Sequence, residues 1–140
     1  MNIIKVVGSF GVAAGALLFA QTQQRSLWDG VFTADQAQRG SGFYTQSCAA
    51  CHGTQLTGGE SAPPLTGGEF LSSWNGLTLV ELYDRIRTTM PADRPGRVTR
   101  EQNADILAYV LSVNQFPAGK AELAHDNEAL KQVQFDAYKK

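Results

Sequence analysis

Residues 48–52 read Cys-Ala-Ala-Cys-His, and this stretch limits the possible folds of the chain more than any other. Two cysteines three positions apart lie one helical turn apart, so their thiols can add to the two vinyl groups of a single porphyrin. The histidine after the second cysteine can then reach the porphyrin iron. The motif predicts covalent haem c, with Cys48 and Cys51 as anchors and His52 as an axial iron ligand.

The same pattern has three other readings: a chance CxxC, half of a zinc site, and a thioredoxin-like redox pair. A structural zinc site needs four ligands, and the only histidine besides His52 is His125, far down the chain. A thioredoxin-like pair would lie beside a βαβ pattern, which the sequence does not show. The shortage of zinc ligands and the absence of a βαβ pattern favour a haem site over a zinc site or a thioredoxin-like pair.

A haem would enlarge the core of this 140-residue chain, whose length suits one domain and of which 43% is hydrophobic. The formal net charge of -1 is too balanced for a protein that binds nucleic acid. We therefore expect partners other than nucleic acid.

Residues 1–20 have the pattern of an export signal, with Lys5 before an uncharged apolar run and polar residues after it. The run is short for a bilayer span, which favours cleavage after Ala20, while an uncleaved anchor stays open. We expect the folded part in the periplasm, and membrane contact only if residues 1–20 are retained.

Capping signals before apolar positions at helical spacing predict three main helices. They are Thr33 with Gln36 before residues 34–47, Thr78 with Glu81 before residues 79–88, and Thr99 with Gln102 before a helix ending near residue 113. A short helical turn is expected over residues 70–74. Prolines and glycines predict loops over residues 53–69 and 88–96. The fold class is all-α, with three to four main helices and loops wrapped around one haem.

The ends of the chain are expected to accompany this domain. Trp28 should fold back onto it, because an exposed tryptophan is uncommon. The tail is expected to form a short helix or to wrap across the surface. The organisation is therefore a signal peptide or anchor (1–20), a lead-in (21–33), a cytochrome c domain (34–117) and a tail (118–140).

The second axial position of the iron has three candidate occupants: Met90, His125, or no side chain. Met90 lies in a loop between two predicted helices, directly before the stiff Pro91, and a thioether favours ferrous iron. Its alternative role is a gap-filling core side chain. His125 lies among Asp126, Asn127 and Glu128, a solvated setting that disfavours ligation. We predict Met90 as the ligand.

The stretch from residue 39 through the haem motif resembles the first helix of the small His/Met (class I type) cytochromes c. In that family a glycine and an aromatic residue lie where the first and last helices cross, and Gly40 and Tyr44 match them. Residues 105–110 resemble the last helix. The resemblance also implies that the carbonyl of Pro64 holds His52 and that Trp74 donates to a haem propionate. The alternative role of Trp74 is that of a plain core indole.

Residues 28–33, 85–91 and 114–119 are similar to bacterial cytochromes c associated with pyrroloquinoline quinone (PQQ) dehydrogenases. The resemblance implies an exported carrier of single electrons, and not an enzyme, between a periplasmic donor and a respiratory acceptor. It suggests a PQQ-dependent dehydrogenase and a terminal oxidase as those partners. Two alternatives stay open: a haem-bearing subunit of a larger complex, and a ligand-binding or peroxidatic haem protein with a labile Met90.

A cluster of arginines surrounds Met90 in the sequence. It comprises Arg85, Arg87, Arg94, Arg97 and Arg100, opposed mainly by Asp84, Asp93 and Glu101. A positive collar near the haem edge would steer an acidic partner. The alternative is a solvated face, with Arg85 or Arg87 paired with haem propionates.

Overall fold

The fold is known from a computed structural model that describes residues 23–139, so the predicted export segment lies outside the described residues. Within that range the elements are β1 (Arg25–Ser26), α1 (Ala34–Ser47), α2 (Ala49–His52), α3 (Gly67–Trp74), α4 (Leu79–Thr89), α5 (Arg100–Val113), α6 (Asn127–Lys131) and β2 (Val133–Gln134). The predicted all-α class is confirmed. None of the helices between residues 23 and 139 has the length and apolar character that crossing a bilayer requires.

The three main helices begin and end close to the predicted positions. Thr99 and Gln102 form a reciprocal capping box, and the Glu81 carboxylate accepts the Thr78 backbone N–H at 2.7 Å. These contacts satisfy backbone groups that the first helical turn leaves without partners. Local capping chemistry was therefore sufficient to place α4 and α5.

Of the two contacts in the capping box predicted for α1, the one from the Thr33 side chain is present and the one from the Gln36 side chain is not. Thr33 Oγ1 accepts the backbone N–H of Gln36 at 3.1 Å, as expected. The Gln36 side chain, however, turns inward and pairs with the backbone of Leu123, donating to its carbonyl at 3.0 Å and accepting from its N–H at 2.6 Å. Because buried backbone groups need partners, the tail captures this side chain.

The crossing of α1 with α5 forms the frame of the molecule. Gly40 packs so closely on α5 that an added Cβ would collide with the carbonyl of Asp105. One turn further on, the rings of Tyr44 and Tyr109 lie 5.4 Å apart. Beside the crossing, Arg39 donates two hydrogen bonds to Asp105, each of 3.1 Å. The predicted role of Gly40 and Tyr44 at the crossing is confirmed.

The two ends of the described chain pack together on this frame. β1 pairs in parallel with β2, and Trp28 Nε1 donates to the Asp136 carbonyl at 2.9 Å. The Trp28 ring lies 5.0 Å from Phe116, and Phe135 beside it is fully buried. The prediction that Trp28 folds back is confirmed, and the tail forms both a short helix and a wrap.

Candidate haem site

The Cys-Ala-Ala-Cys-His motif begins where α1 ends. Cys48 is the residue between α1 and α2, and its N–H donates to the Tyr44 carbonyl at 2.8 Å. The turn of α2 then carries Cys51 and His52. Cys48 is half-buried and Cys51 is exposed, and both are free thiols. The local fold therefore leaves both sulfur atoms available for thioether bonds.

Burial raises the pKa of the Cys48 thiol to about 11, and the adjacent Cys51 adds to the rise. Arg97 lies near enough for its positive charge to oppose that rise. Arg97 belongs to the loop after Met90, so a charge from that loop acts on the attachment motif.

His52 has the environment of a metal-binding imidazole. The side chain is buried, and its Nδ1 lies 2.8 Å from the carbonyl oxygen of Pro63. A carbonyl can only accept, so Nδ1 carries the proton and the lone pair remains on Nε2. Metal-ligating histidines are oriented in this way by a hydrogen bond at the other ring nitrogen. The residues of this site therefore fit a covalent haem.

The prediction that Pro64 provides this carbonyl was wrong by one residue, because the oxygen belongs to Pro63. The loop folds tightly here: Gly59 N–H donates to the Ala62 carbonyl, and Leu65 N–H donates to the Leu56 carbonyl. This turn directs the Pro63 carbonyl towards the imidazole. Two consecutive prolines give similar sequence signals, so only the three-dimensional path of the loop distinguishes their carbonyls.

The segment after His52 is held by contacts from two sides. The buried hydroxyl of Tyr44 donates to the Gly53 carbonyl at 2.7 Å, and Gly58 N–H donates to the His52 carbonyl at 2.9 Å. A Cβ on Gly58 would lie 2.6 Å from the Pro64 nitrogen, so this close approach requires glycine. The chain thus fixes the backbone on both sides of the imidazole.

Met90 caps the C-terminal end of α4, and its N–H donates to the Ile86 carbonyl at 3.0 Å. Its side chain is partly exposed, and the following Pro91 is buried. This hydrogen bond fixes the backbone of Met90 to the end of α4. Ligation of iron by Met90 stays a prediction, because no contact in the structure tests it.

Trp74 is the last residue of α3 and packs, partly buried, against the core. Its indole makes no hydrogen bond to another residue within the described range, and its contact with a propionate stays a prediction. The predicted short turn before it is a longer helix that begins at Gly67. His125 lies apart, with half of its side chain exposed and its Nε2 3.7 Å from Glu101.

Sequence reasoning missed two buried asparagines: Asn103 contacts the end of the loop after Met90, and Asn114 contacts the end of the loop after the motif. Asn103 donates to the Val98 and Thr99 carbonyls, and Asn114 donates to the Leu65 carbonyl. An asparagine inside or just after a helix reads as an ordinary surface or capping residue, so only their contacts reveal this role.

The α1–α5 frame and the fixed imidazole of His52 beside two free thiols define the class of the molecule: it is a c-type cytochrome, with one covalent haem c. The family description "Cytochrome C oxidase, cbb3-type, subunit III" matches residues 35–110, and the chain belongs to this family.

Two similar proteins extend this comparison. The CcoP subunit of the cbb3-type cytochrome c oxidase of Azospirillum brasilense is 28% identical in an alignment 92 positions long, and this alignment covers 54% of this chain and 30% of the relative. The chain thus spans less than a third of that curated relative. The sulfane dehydrogenase SoxCD of Paracoccus pantotrophus matches with a TM-score of 0.52 and 22% identity, over 90% of this chain and 68% of that chain. The latter likeness establishes the fold.

Proposed function

We propose that the protein is an exported monohaem electron carrier, anchored through Cys48 and Cys51, with His52 and Met90 as its axial iron ligands. The observation that carries this proposal is the hydrogen bond from His52 Nδ1 to Pro63, which leaves Nε2 for the iron. Residues 1–20 act as the export signal, so the carrier works in the periplasm. Contact with the membrane requires that these residues are retained.

The haem, when bound, supplies reversible one-electron chemistry. The protein residues keep its surroundings alike in both oxidation states. His52 is fixed through its ring nitrogen, and Met90 is held at the end of α4, so neither needs to move when an electron arrives. Because His52 and Met90 would both hold the iron, no substrate would reach it, which is why we assign a carrier and not an enzyme.

The names of the two relatives support redox enzymes as partners. CcoP is named as a subunit of an oxidase and SoxCD as a dehydrogenase. We infer that this protein receives electrons from a periplasmic dehydrogenase, with a PQQ-dependent enzyme as the donor that residues 28–33 and 85–91 suggest. A terminal oxidase is the proposed acceptor.

The charge distribution supports an acidic partner at the Met90 side. Residues 40–84 contain no lysine or arginine, whereas residues 85–100 contain five arginines. Arg87 pairs with Asp84, but Arg85, Arg94 and Arg97 are exposed, and no carboxylate of residues 23–139 lies within ion-pair distance of them. These three arginines form the proposed docking collar, which would attract an acidic protein at low salt.

Small oxidants of opposite charge test the collar. Because the collar attracts anions, Arg94→Glu should slow oxidation of the ferrous protein by ferricyanide several-fold at low salt, and should speed oxidation by cationic tris(phenanthroline)cobalt(III). Arg25→Glu makes the same charge change on β1 and should have a smaller effect. Equal effects of both variants would show that net charge, and not the collar, controls the rates.

Carbon monoxide binding separates the carrier from the ligand-binding alternative. We expect the ferrous holoprotein to titrate as a single one-electron couple and to bind carbon monoxide slowly, because Met90 occupies the site. Met90→Ala should bind it rapidly. Rapid binding by the unchanged protein at neutral pH would overturn the carrier assignment.

The family membership also favours a second candidate, in which the protein is a haem-bearing subunit of an oxidase. The native size of the purified protein distinguishes a free carrier from an oxidase subunit. A carrier should elute from gel filtration near the mass of one chain of 15.1 kDa or less, and should exchange electrons as a free solute. Stable copurification with an oxidase would favour the subunit assignment.

A further inference from the structure

We propose that two asparagines at the ends of α5, Asn103 in its first turns and Asn114 directly after its last residue, each hold one loop of the haem site, and that Asn103 controls how readily Met90 leaves the iron. The inference rests on the proposed ligation by Met90. It assigns Asn103 as a positioning residue, since it acts through the chain that carries the ligand and does not contact the iron.

Asn103 lies in the first turns of α5 and is 1% exposed. Its Nδ2 donates to the Val98 carbonyl at 3.1 Å and to the Thr99 carbonyl at 2.9 Å. Thr99 is the N-cap of the same helix, whereas Val98 is the last residue of the loop that begins after Met90. We call residues 91–98 the Met90 loop. One of the two bonds therefore crosses from the helix to this loop.

The orientation of the amide shows which of its atoms is needed. Asn103 Oδ1 is buried and has no partner in the described part of the chain. If the amide were flipped, the oxygen would face two carbonyl oxygens and the Nδ2 donors would lose both partners. A buried acceptor without a partner is costly, so the side chain is retained for its two donors.

The Met90 loop is held to the rest of the protein mainly at its two ends. Pro91 is buried, residues 92–97 are exposed, and Val98 packs against the core. Inside the loop, the backbone makes one hydrogen bond of 3.0 Å, from Arg94 to Pro91, and a longer one from Arg97 to Arg94. A loop with few such contacts opens locally at low free energy. The bond from Asn103 to Val98 is therefore positioned to oppose opening at the far end.

Asn114 holds the other loop in a comparable way. Its Nδ2 donates to the Leu65 carbonyl at 2.9 Å and to the Val110 carbonyl at 2.8 Å, and its Oδ1 accepts from Gly67 N–H at 3.2 Å. Leu65 lies at the end of the loop that presents the Pro63 carbonyl to His52, and Gly67 is the first residue of α3, which follows that loop. One asparagine near the beginning of α5 thus holds the Met90 loop, and one just after its end holds the loop that contacts His52.

Exchange of Met90 for free imidazole tests the assignment in the ferric holoprotein. Entry of imidazole requires Met90 to leave, which we follow as loss of the far-red sulfur-to-iron band. Asn103→Asp keeps the shape but removes both donors, and should speed the exchange by about tenfold. Asn103→Ala should act in the same direction. Asn114→Asp is the matched control and should change the rate by less than about twofold, because it loosens the opposite side.

Each result is decisive. A wild-type protein without the far-red band would refute the ligation by Met90, and the inference would fail with it. A wild-type band together with unchanged exchange in Asn103→Asp would refute the role of Asn103 alone. Equal acceleration by Asn103→Asp and Asn114→Asp, in parallel with their thermal midpoints, would show a general loss of stability and would also overturn the assignment.

Discussion

The hydroxyl of Tyr44 links the helix crossing to the haem motif. Its ring packs against Tyr109 on α5, while its oxygen donates to the Gly53 carbonyl, one residue after His52. Burial is the largest cause that raises its pKa from the ordinary 10.0 to about 12. The neutral form is therefore the one that the folded protein stabilises.

Tyr44→Phe should lower the free energy of unfolding at neutral pH by about 1 kcal/mol, because the Gly53 carbonyl loses its donor. In the unfolded chain Tyr44 ionises near 10.0, but in the folded chain only near 12. The stability that it contributes is thus complete below pH 10 and is lost as the pH rises to about 12. Guanidinium unfolding across this range should show the difference between wild type and variant narrowing.

Tyr138→Phe is the control for this measurement, since Tyr138 is 62% exposed and its ring covers little of the core. It should unfold like the wild type at each pH. A difference between Tyr44→Phe and wild type that widened with rising pH would contradict the account.

The sequence proposes the residues of the haem site, but it did not identify some of the groups that hold them. Spacing alone selected Cys48, Cys51 and His52, because the chemistry of attachment requires that pattern. The carbonyl that holds His52 was placed on Pro64 and lies on Pro63, and Gln36 bonds to the tail. Those choices depend on the path of chain segments that are distant in sequence, which no local pattern records.

At the scale of the elements, the crossing of α1 with α5 makes the most specific demand on the sequence. Gly40 lies against the backbone of Asp105, which cannot move without displacing α5. Gly42, two residues later on the same helix, has nothing within 4 Å of an added Cβ. The two glycines therefore form a matched pair on one helix.

Gly40→Ala should destabilise the protein by at least about 1–3 kcal/mol, because the added methyl group overpacks the crossing. Gly42→Ala should be neutral or stabilising by up to about 1 kcal/mol, since alanine favours the helix more than glycine. Denaturant unfolding of both holoproteins measures the difference. Similar stabilities of the two variants would show that the crossing is looser than described.

The elements with local signals were predicted well, and those without them were not. α1 has the predicted bounds, and the reciprocal capping boxes located α4 and α5. α3 begins three residues before the predicted turn, at a pair of glycines that discourage a helix in sequence terms. Tertiary packing of Phe70, which is buried, overrides that preference.

At the scale of the whole molecule, the lead-in and the tail close the structure around an aromatic cluster. Phe135 is fully buried, with its ring 5.7 Å from Phe116 and 6.1 Å from Phe70. The sequence indicated only weak helical spacing in this tail. The burial of Phe135 depends on residues far away in the chain, so the tail pattern could not reveal it.

Phe135→Ala should cost about 3–5 kcal/mol of unfolding free energy, since it leaves a cavity between the tail and the frame. Tyr138→Ala, on the exposed end of the same tail, should stay within about 0.5 kcal/mol of wild type. Thermal unfolding of the two variants compares them directly. A small effect of Phe135→Ala would mean that the tail is peripheral to the stability of the domain.

The absorption spectrum of the ferric protein tests the central claim most directly. If His52 and Met90 are the axial ligands, the exported holoprotein shows the weak sulfur-to-iron charge-transfer band in the far red. That band disappears in Met90→Ala and persists in His125→Ala. A high-spin ferric spectrum without the band in the wild type, or a band that survives Met90→Ala, would contradict the account.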